Sequence, residues 1–268
     1  MSSNAIDSAN PAASSSETSR QAQPDRIELK GTDKLEMLTT ALEANSIKKQ
    51  LQAVRDLSAL GRAGEPALAD FVRRRMDPKN PAYPTAAHGS AYQSLYNQGT
   101  SAAAKAVIQA LPHGLVCPRS AKGIDYGELQ KLLVRREYQR ADKLTNQKLC
   151  ELAGESAIAR KWIYFTEVEN FPVIDLTAMD VMWGLYSDNK FGWSKQHALW
   201  TRLSQNWERL WPQLNWKTGN SWTRYPNEFT WDLSAPEGHL PLSNQLRGVR
   251  TMSSLLSHPA WGQPGQGS

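Results

Sequence analysis

All ten tryptophans of this chain lie between Trp162 and Trp261, and the 161 residues before them contain none. Tryptophan is the largest side chain to bury, so a stretch that carries ten must build a core around them. The asymmetry predicts two units that meet near residue 120. With 268 residues, each unit is long enough to bury a core. Residues 1–30 are rich in Ser, Ala, Asn and Pro, lack aromatics, and read as a disordered tail. A transit peptide is the weaker alternative, because Asp7 and Glu17 interrupt the stretch. Residues 31–118 read as an N-terminal helical bundle, 121–262 as the tryptophan-rich core domain, and 263–268 as a flexible tail.

In the first unit, apolar side chains recur at helical spacing. Leu35, Leu38 and Leu42 share a face, as do Leu51, Val54 and Leu57. Leu68 with Val72, Ala91 with Leu95, and Ala104 with Ile108 mark further helices, punctuated by Gly61, Gly64, Pro78, Pro84 and Gly99. The pattern predicts about five short helices, or two to three helical-repeat units. In the second unit Asp125 is placed to cap a helix, with Glu128 completing a capping box. A helix over 138–152 turns Ala141, Leu144 and Leu149 inward and ends at Gly154. Another starts at Asp175 or Thr177. A long one is expected over 194–210, with Trp200, Leu203, Trp207 and Leu210 on one face. Alternating strand patterns are almost absent, so the fold class is all-α.

Composition excludes several functions. The net charge of +5 divides into +3 before Lys122 and +2 from Lys122 onward, with no basic stripe, so nucleic acid is not an expected partner. Cys117 and Cys150 have no metal-ligand spacing, and no apolar run reaches 18 residues. A cytoplasmic monomer is the expectation. Glu167, Glu169 and Asp175 read as a solvated face or a helix start rather than acid–base machinery. His239, in Gly238-His239-Leu240-Pro241, invites reading as an axial ligand, but lone histidines are usually not ligands. No phosphate loop or nucleophile elbow occurs.

The stretch over 212–243 departs from the helical pattern. It holds Trp216, Trp222, Tyr225, Phe229 and Trp231 without a helical period, and so predicts an ordered aromatic loop system beside a cleft. A helix is expected next, capped by Ser243, with Leu246, Val249 and Leu256 inward and Arg247 and Arg250 sharing another face. Two guanidinium forks suit carboxylates. Aromatic rings beside two arginines suit a flat apolar ligand with carboxylate arms, such as a porphyrin. Burying its ring contributes roughly 5–10 kcal/mol before association costs.

The run WTRYPNEFTWDLSAPEGHLPLSNQLRGVR resembles the genomes-uncoupled-4 family, porphyrin-binding activators of magnesium chelatase. GIDYGELQKLL, ADKLTNQKLCELAG, WIYFTEVENFPVIDL, MWGLYSDNKFGWSKQHALW and LLSHPAW match in order, covering nearly all of 123–261. The N-terminal helices loosely resemble those of two-domain cyanobacterial members. The resemblance implies an N-terminal helical bundle packed on an all-helical porphyrin-binding core. It implies ligands protoporphyrin IX and magnesium-protoporphyrin IX, with no obligatory cofactor. It further implies stimulation of the chelatase through its H subunit in chlorophyll synthesis, no catalysis by the chain itself, and some peripheral thylakoid association. The residues matching the family's cleft are Phe165, Trp222, Asn244, Arg247 and Arg250. Tyr225 stands where relatives often have Trp, and Asn146 where some carry Arg, which implies one cationic contact fewer. Two alternatives stay open. One is a tetrapyrrole-modifying enzyme, for which the residues offer no constellation. The other is a scaffold or sensor for another planar ligand such as a bilin.

Overall fold

The computed structural model describes residues 31–80, 82–242 and 249–262. The first helices are α1 (Gly31–Ala41), α2 (Ile47–Ala59), α3 (Glu65–Arg75), α4 (Ala86–Gln98) and α5 (Ala102–Ala110). Each buries the apolar stripe its spacing predicts, among them Leu51, Val54 and Leu57 of α2 and Leu68, Phe71 and Val72 of α3. Their ends are set by local polar groups. The Ser101 hydroxyl accepts the Ala104 amide at 3.1 Å and caps α5, while the buried Glu65 carboxylate accepts the amides of Thr100 and Ser101 at the same corner. Burial pushes this carboxyl up, but the bonds from Ser101 and Thr100 together leave it below the usual carboxylate range.

The rest of the chain forms α6 (Gly127–Val134), α7 (Tyr138–Ala153), α8 (Glu155–Arg160), α9 (Phe165–Val168), α10 (Val173–Leu185), α11 (Trp193–Arg202) and α12 (Trp207–Gln213). A two-residue-per-strand hairpin, β1 (Lys217–Thr218) and β2 (Ser221–Trp222), and α13 (Val249–Leu256) follow. The architecture is therefore all-α with one minimal antiparallel hairpin. Among the described residues, no helix is long and apolar enough to cross a membrane.

Helix α4 joins the bundle to the rest. It packs on α2, α3 and α5 within the bundle, and on α6 and α10 outside it. Gly89 faces α10 so closely that a Cβ would lie 1.9 Å from the Leu185 carbonyl oxygen. One helical turn on, the buried Gln93 amide donates to the carbonyls of Leu133 and Tyr186, each at 2.8 Å. These carbonyls at the C-terminal ends of α6 and α10 also accept the Arg136 amide at 3.0 Å and the Tyr138 hydroxyl at 2.6 Å, so the side chain from the bundle gives each a second donor.

Several sequence expectations are corrected. The helix expected over 194–210 is two helices. The chain leaves α11 through Ser204 and Gln205, both left-handed at φ 55° and 58°, before α12 begins at the Asn206 cap, whose side chain accepts the Arg209 amide. The break turns Trp207 back on Trp200, with ring centroids 4.8 Å apart, so the aromatic face survives although the helix does not. Left-handed backbone costs a non-glycine residue roughly 1–2 kcal/mol, partly offset by glycine's larger unfolded-state entropy. Gln205→Gly is therefore expected to raise the melting midpoint by about 1–2 °C in calorimetry. At α6 the cap register shifts by one. Asp125 accepts the Gly127 amide at 2.8 Å, Tyr126 stands at the cap, and the expected box with Glu128 is not formed. Helix α10 begins at Val173, before either expected start. On α7 the inward face carries Asp142 and Thr145, while Leu144 is only partly buried. On α13, Val249 is 42% exposed, and Thr251, Met252, Leu255 and Leu256 point inward. Ser243 and Leu246 lie outside the described residues.

Candidate functional site

The aromatic loop is ordered because its rings anchor its backbone. Trp216 is fully buried and donates Nε1–H to the His239 carbonyl at 2.9 Å. From that anchor the hairpin projects, pairing Lys217 with Trp222 and Thr218 with Ser221 around a left-handed Gly219. Three neighbouring ring pairs link Trp200, Trp207, Trp211 and Trp216, and a fourth joins Trp211 to Trp222; centroid separations run from 4.8 to 5.9 Å. Trp222 closes this stack at the surface, 45% exposed, with the Lys217 ammonium 5.4 Å from its ring centroid. An exposed indole held rigidly by a buried stack offers a preformed apolar platform.

Tyr225 belongs to a second ring cluster. It meets Phe229 and Trp231 edge-on at 5.7 Å, and Trp231 donates to the Pro226 carbonyl at 2.9 Å. Tyr225 is 39% exposed, while its hydroxyl faces the Asp142 carboxyl on α7. Burial, reinforced by the Asp142 charge, pushes the phenol up to about 12. Asp142 is itself fully buried. Its Oδ1 accepts the Leu242 amide at 2.6 Å, and among the described residues its Oδ2 has no hydrogen-bond partner within bonding geometry. Burial raises this carboxyl to about 7, with the Leu242 amide and the Tyr225 hydroxyl pulling the other way.

A third group lies at the contact of α9 with α13, where the Arg250 guanidinium sits 5.5 Å from the Phe165 ring centroid. Beside it Arg160 stacks over Trp162 and Tyr164, at 5.0 and 4.4 Å, and pairs with Glu167 at 2.5 Å. Among the described residues, direct contacts thus join Phe165 to Arg250 and Tyr225 to Asp142. Trp222 makes ring contact with Trp211 and with neither of those pairs. Asn244 and Arg247 lie outside the described residues. Asn146, read from the sequence as a missing cationic contact, has a different use: its amide donates to the Leu242 carbonyl at 3.2 Å.

The structure also assigns the side chains that tempted other readings. His239 is fully buried, with Nδ1 2.6 Å from the Leu214 carbonyl and Nε2 accepting the Thr230 amide at 3.2 Å. That arrangement fixes the proton on Nδ1 and leaves no ring nitrogen for an axial bond. Burial lowers its pKa, in keeping with a neutral ring. Glu167 pairs with Arg160 and accepts the Tyr164 amide, and Asp175 accepts the Tyr126 hydroxyl at 2.7 Å and the Ala121 amide at 3.0 Å. Both carboxylates are occupied by structural donors. Among the described residues, no three His, Cys, Asp or Glu side chains cluster to hold a metal ion.

Asp142 is the functional candidate that the sequence reading passed over. Its signal was present: with Tyr138, Ala141, Thr145 and Leu149 it lies on the inward stripe of α7, where an unpaired carboxylate is out of place.

Residues 119–259 match the family described as GUN4-like, and residues 27–112 match the ARM-like repeat domain described as GUN4-N terminal. A Ycf53-like protein of Synechocystis is 44% identical over 234 residues, which span 87% of this chain and 99% of that protein. The chloroplastic tetrapyrrole-binding protein of Arabidopsis thaliana is 34% identical over 142 residues, 50% of this chain and 54% of that protein. Among solved structures, GUN4 from Chlamydomonas reinhardtii superposes with a TM-score of 0.52 at 36% identity, covering 55% of this chain and 95% of that one.

Proposed function

Because the chain belongs to the GUN4 family, we propose that it binds a porphyrin, as protoporphyrin IX and magnesium-protoporphyrin IX, and regulates the magnesium chelatase of chlorophyll synthesis through its H subunit. One observation carries the ligand reading. Trp222 and Tyr225 are two large rings left 45% and 39% exposed, yet each is held from behind by a packed ring cluster. Exposed rings that are rigid lose little freedom when a flat ligand covers them. The name of the Arabidopsis relative supports a tetrapyrrole as that ligand. In this reading Trp222, Tyr225 and Phe165 cover ring surface, and Arg250, Arg247 and Asn244 engage the propionates and polar edges.

The regulator itself carries out no bond chemistry. It holds the porphyrin, and it favours the productive state of the chelatase subunit only to the extent that the loaded form binds that state more tightly. Peripheral association with thylakoid membranes and a monomeric state complete the proposal.

The test is a titration of the purified full-length protein with deuteroporphyrin IX, with and without magnesium, followed by tryptophan fluorescence. Saturable one-to-one quenching is expected. Trp222→Ala, which removes an exposed platform without opening a buried cavity, is expected to weaken binding about tenfold, in line with roughly 1–2 kcal/mol for one stacked aromatic face. Absence of saturable binding to either porphyrin, with binding of a linear tetrapyrrole, would overturn the porphyrin reading in favour of a bilin sensor.

A further inference from the structure

The aromatic loop is tied to the N-terminal bundle through one short turn, residues 186–192, where the chain leaves α10. Asp188 and Asn189 in it are left-handed, at φ 54° and 63°. The turn is closed from within. The Asn189 amide donates to the Gly184 carbonyl at 3.0 Å, and Ser187 accepts the Lys190 amide at its carbonyl and the Phe191 amide at its hydroxyl, both at 2.9 Å. A turn closed by its own bonds shifts as a unit when one of its outer contacts is released.

Contacts from both units meet on this turn. From the bundle, Gln93 of α4 donates to the Tyr186 carbonyl at 2.8 Å, and the Arg55 guanidinium of α2 pairs with the Asp188 carboxylate at 3.0 Å. The Asp188 side chain is only 7% exposed, and among the described residues its Oδ1 has no hydrogen-bond partner. A nearly buried carboxylate that loses its cation is driven towards water, and its backbone moves with it. On the other side the turn grips the aromatic loop. The Lys190 ammonium donates to the Leu233 carbonyl at 2.6 Å, the Lys190 carbonyl accepts the Gly238 amide at 2.8 Å, and the Gly192 amide donates to the Leu240 carbonyl at 2.9 Å. Leu233 lies two residues beyond Trp231, whose ring meets Tyr225 edge-on.

We propose that the 186–192 turn couples the N-terminal bundle to the tetrapyrrole site: Arg55 positions the turn through Asp188, and Lys190, through the Leu233 carbonyl, positions the aromatic loop that presents Tyr225. The affinity half of the statement rests on the porphyrin reading above; the coupling of bundle to loop does not. It gives the bundle a part in regulating the site. Because coupling is reciprocal, a partner that draws Arg55 away from Asp188 weakens porphyrin binding by the same factor by which porphyrin weakens that partner.

Two measurements on the full-length protein separate the halves. The first is amide hydrogen exchange of the peptides covering 230–240 without ligand, with the α5 peptides as the internal control for global unfolding. Lys190→Met, which keeps the length of the side chain but not its charged donor, is expected to speed loop exchange about tenfold, and Lys190→Arg to restore most of the protection. Arg55→Ala changes a side chain that is 54% exposed and belongs to the other unit. It is expected to speed exchange of the same loop peptides about threefold and leave α5 unchanged. Adding Asp188→Asn, which removes the orphaned charge, is expected to return the loop towards wild type. Arg55→Ala without effect on the loop, or with an effect that Asp188→Asn does not relieve, overturns the coupling; this arm decides even if Lys190→Met does not fold. Loop exchange unchanged in Lys190→Met, or not restored by Lys190→Arg, removes Lys190 from its role. The second measurement is the deuteroporphyrin titration, where Lys190→Met is expected to weaken binding about fivefold and Arg55→Ala about twofold. Affinities equal to wild type in both variants overturn the positioning of the ligand site. The expected exchange pattern in a protein that binds no porphyrin overturns the ligand reading and leaves the coupling standing.

Discussion

Gly89→Ala is expected to lower the stability of the whole chain by about 3 kcal/mol or more, a drop of roughly 6–12 °C in melting midpoint. The added Cβ would sit 1.9 Å from the Leu185 carbonyl oxygen, 2.8 Å from its carbon and 3.1 Å from the Leu185 side chain. Two of those atoms are backbone, so no rotamer change relieves the clash, and α4 must move away from α10. That movement would also draw the buried Gln93 amide from its two acceptors, the Leu133 and Tyr186 carbonyls. Gly184→Ala is the control. It lies on α10, the helix that Gly89 of α4 faces, but its Cβ would meet the nearest atom at 3.6 Å, an ordinary contact. Its midpoint is expected to stay within about 3 °C of wild type, the scale of a helical Gly-to-Ala change of under 1 kcal/mol. Differential scanning calorimetry of the two variants checks both. Equal midpoints would mean that the bundle and the tryptophan-rich unit do not depend on this contact.

Arg247→Ala combined with Arg250→Ala is expected to weaken porphyrin binding by about two orders of magnitude. A charge-assisted hydrogen bond contributes roughly 1.5–3 kcal/mol, and two at a partly open cleft sum to about 3 kcal/mol after solvent screening. For Arg250→Ala alone, stability is expected to be nearly unchanged, because Arg250 is exposed and stands over the Phe165 ring. Raising the salt concentration should reduce wild-type affinity and leave the double variant almost unaffected, since screening acts only on charges that are present. Fluorescence titration at two ionic strengths reads both effects. Unchanged affinity in the double variant would remove the arginines from the site.

The helical character of the chain was legible in its residues because helical periodicity is a local property. Apolar side chains three and four positions apart share a face wherever the helix is placed, so Leu51, Val54 and Leu57, or Ala141 and Leu149, announce their burial in advance. The tryptophan distribution likewise indicated a densely aromatic region. Trp222 and Tyr225 were picked out because large rings in a segment without helical period have no face of their own to bury. The family resemblance rests on linear runs and needed no coordinates.

What only the tertiary structure decided depends on groups brought together from distant parts of the chain. The helix over 194–210 breaks at Ser204 and Gln205, and the break sets Trp207 against Trp200 and Trp211, a contact that belongs to the packing. His239 is structural because Leu214 and Thr230 occupy both ring nitrogens. Asn146 reaches across 96 positions and Asp142 across 100 to hold one residue, Leu242. A helix periodicity states that these two side chains share a face. It does not state what that face meets, and the desolvation that lifts the Asp142 carboxyl comes entirely from what it meets.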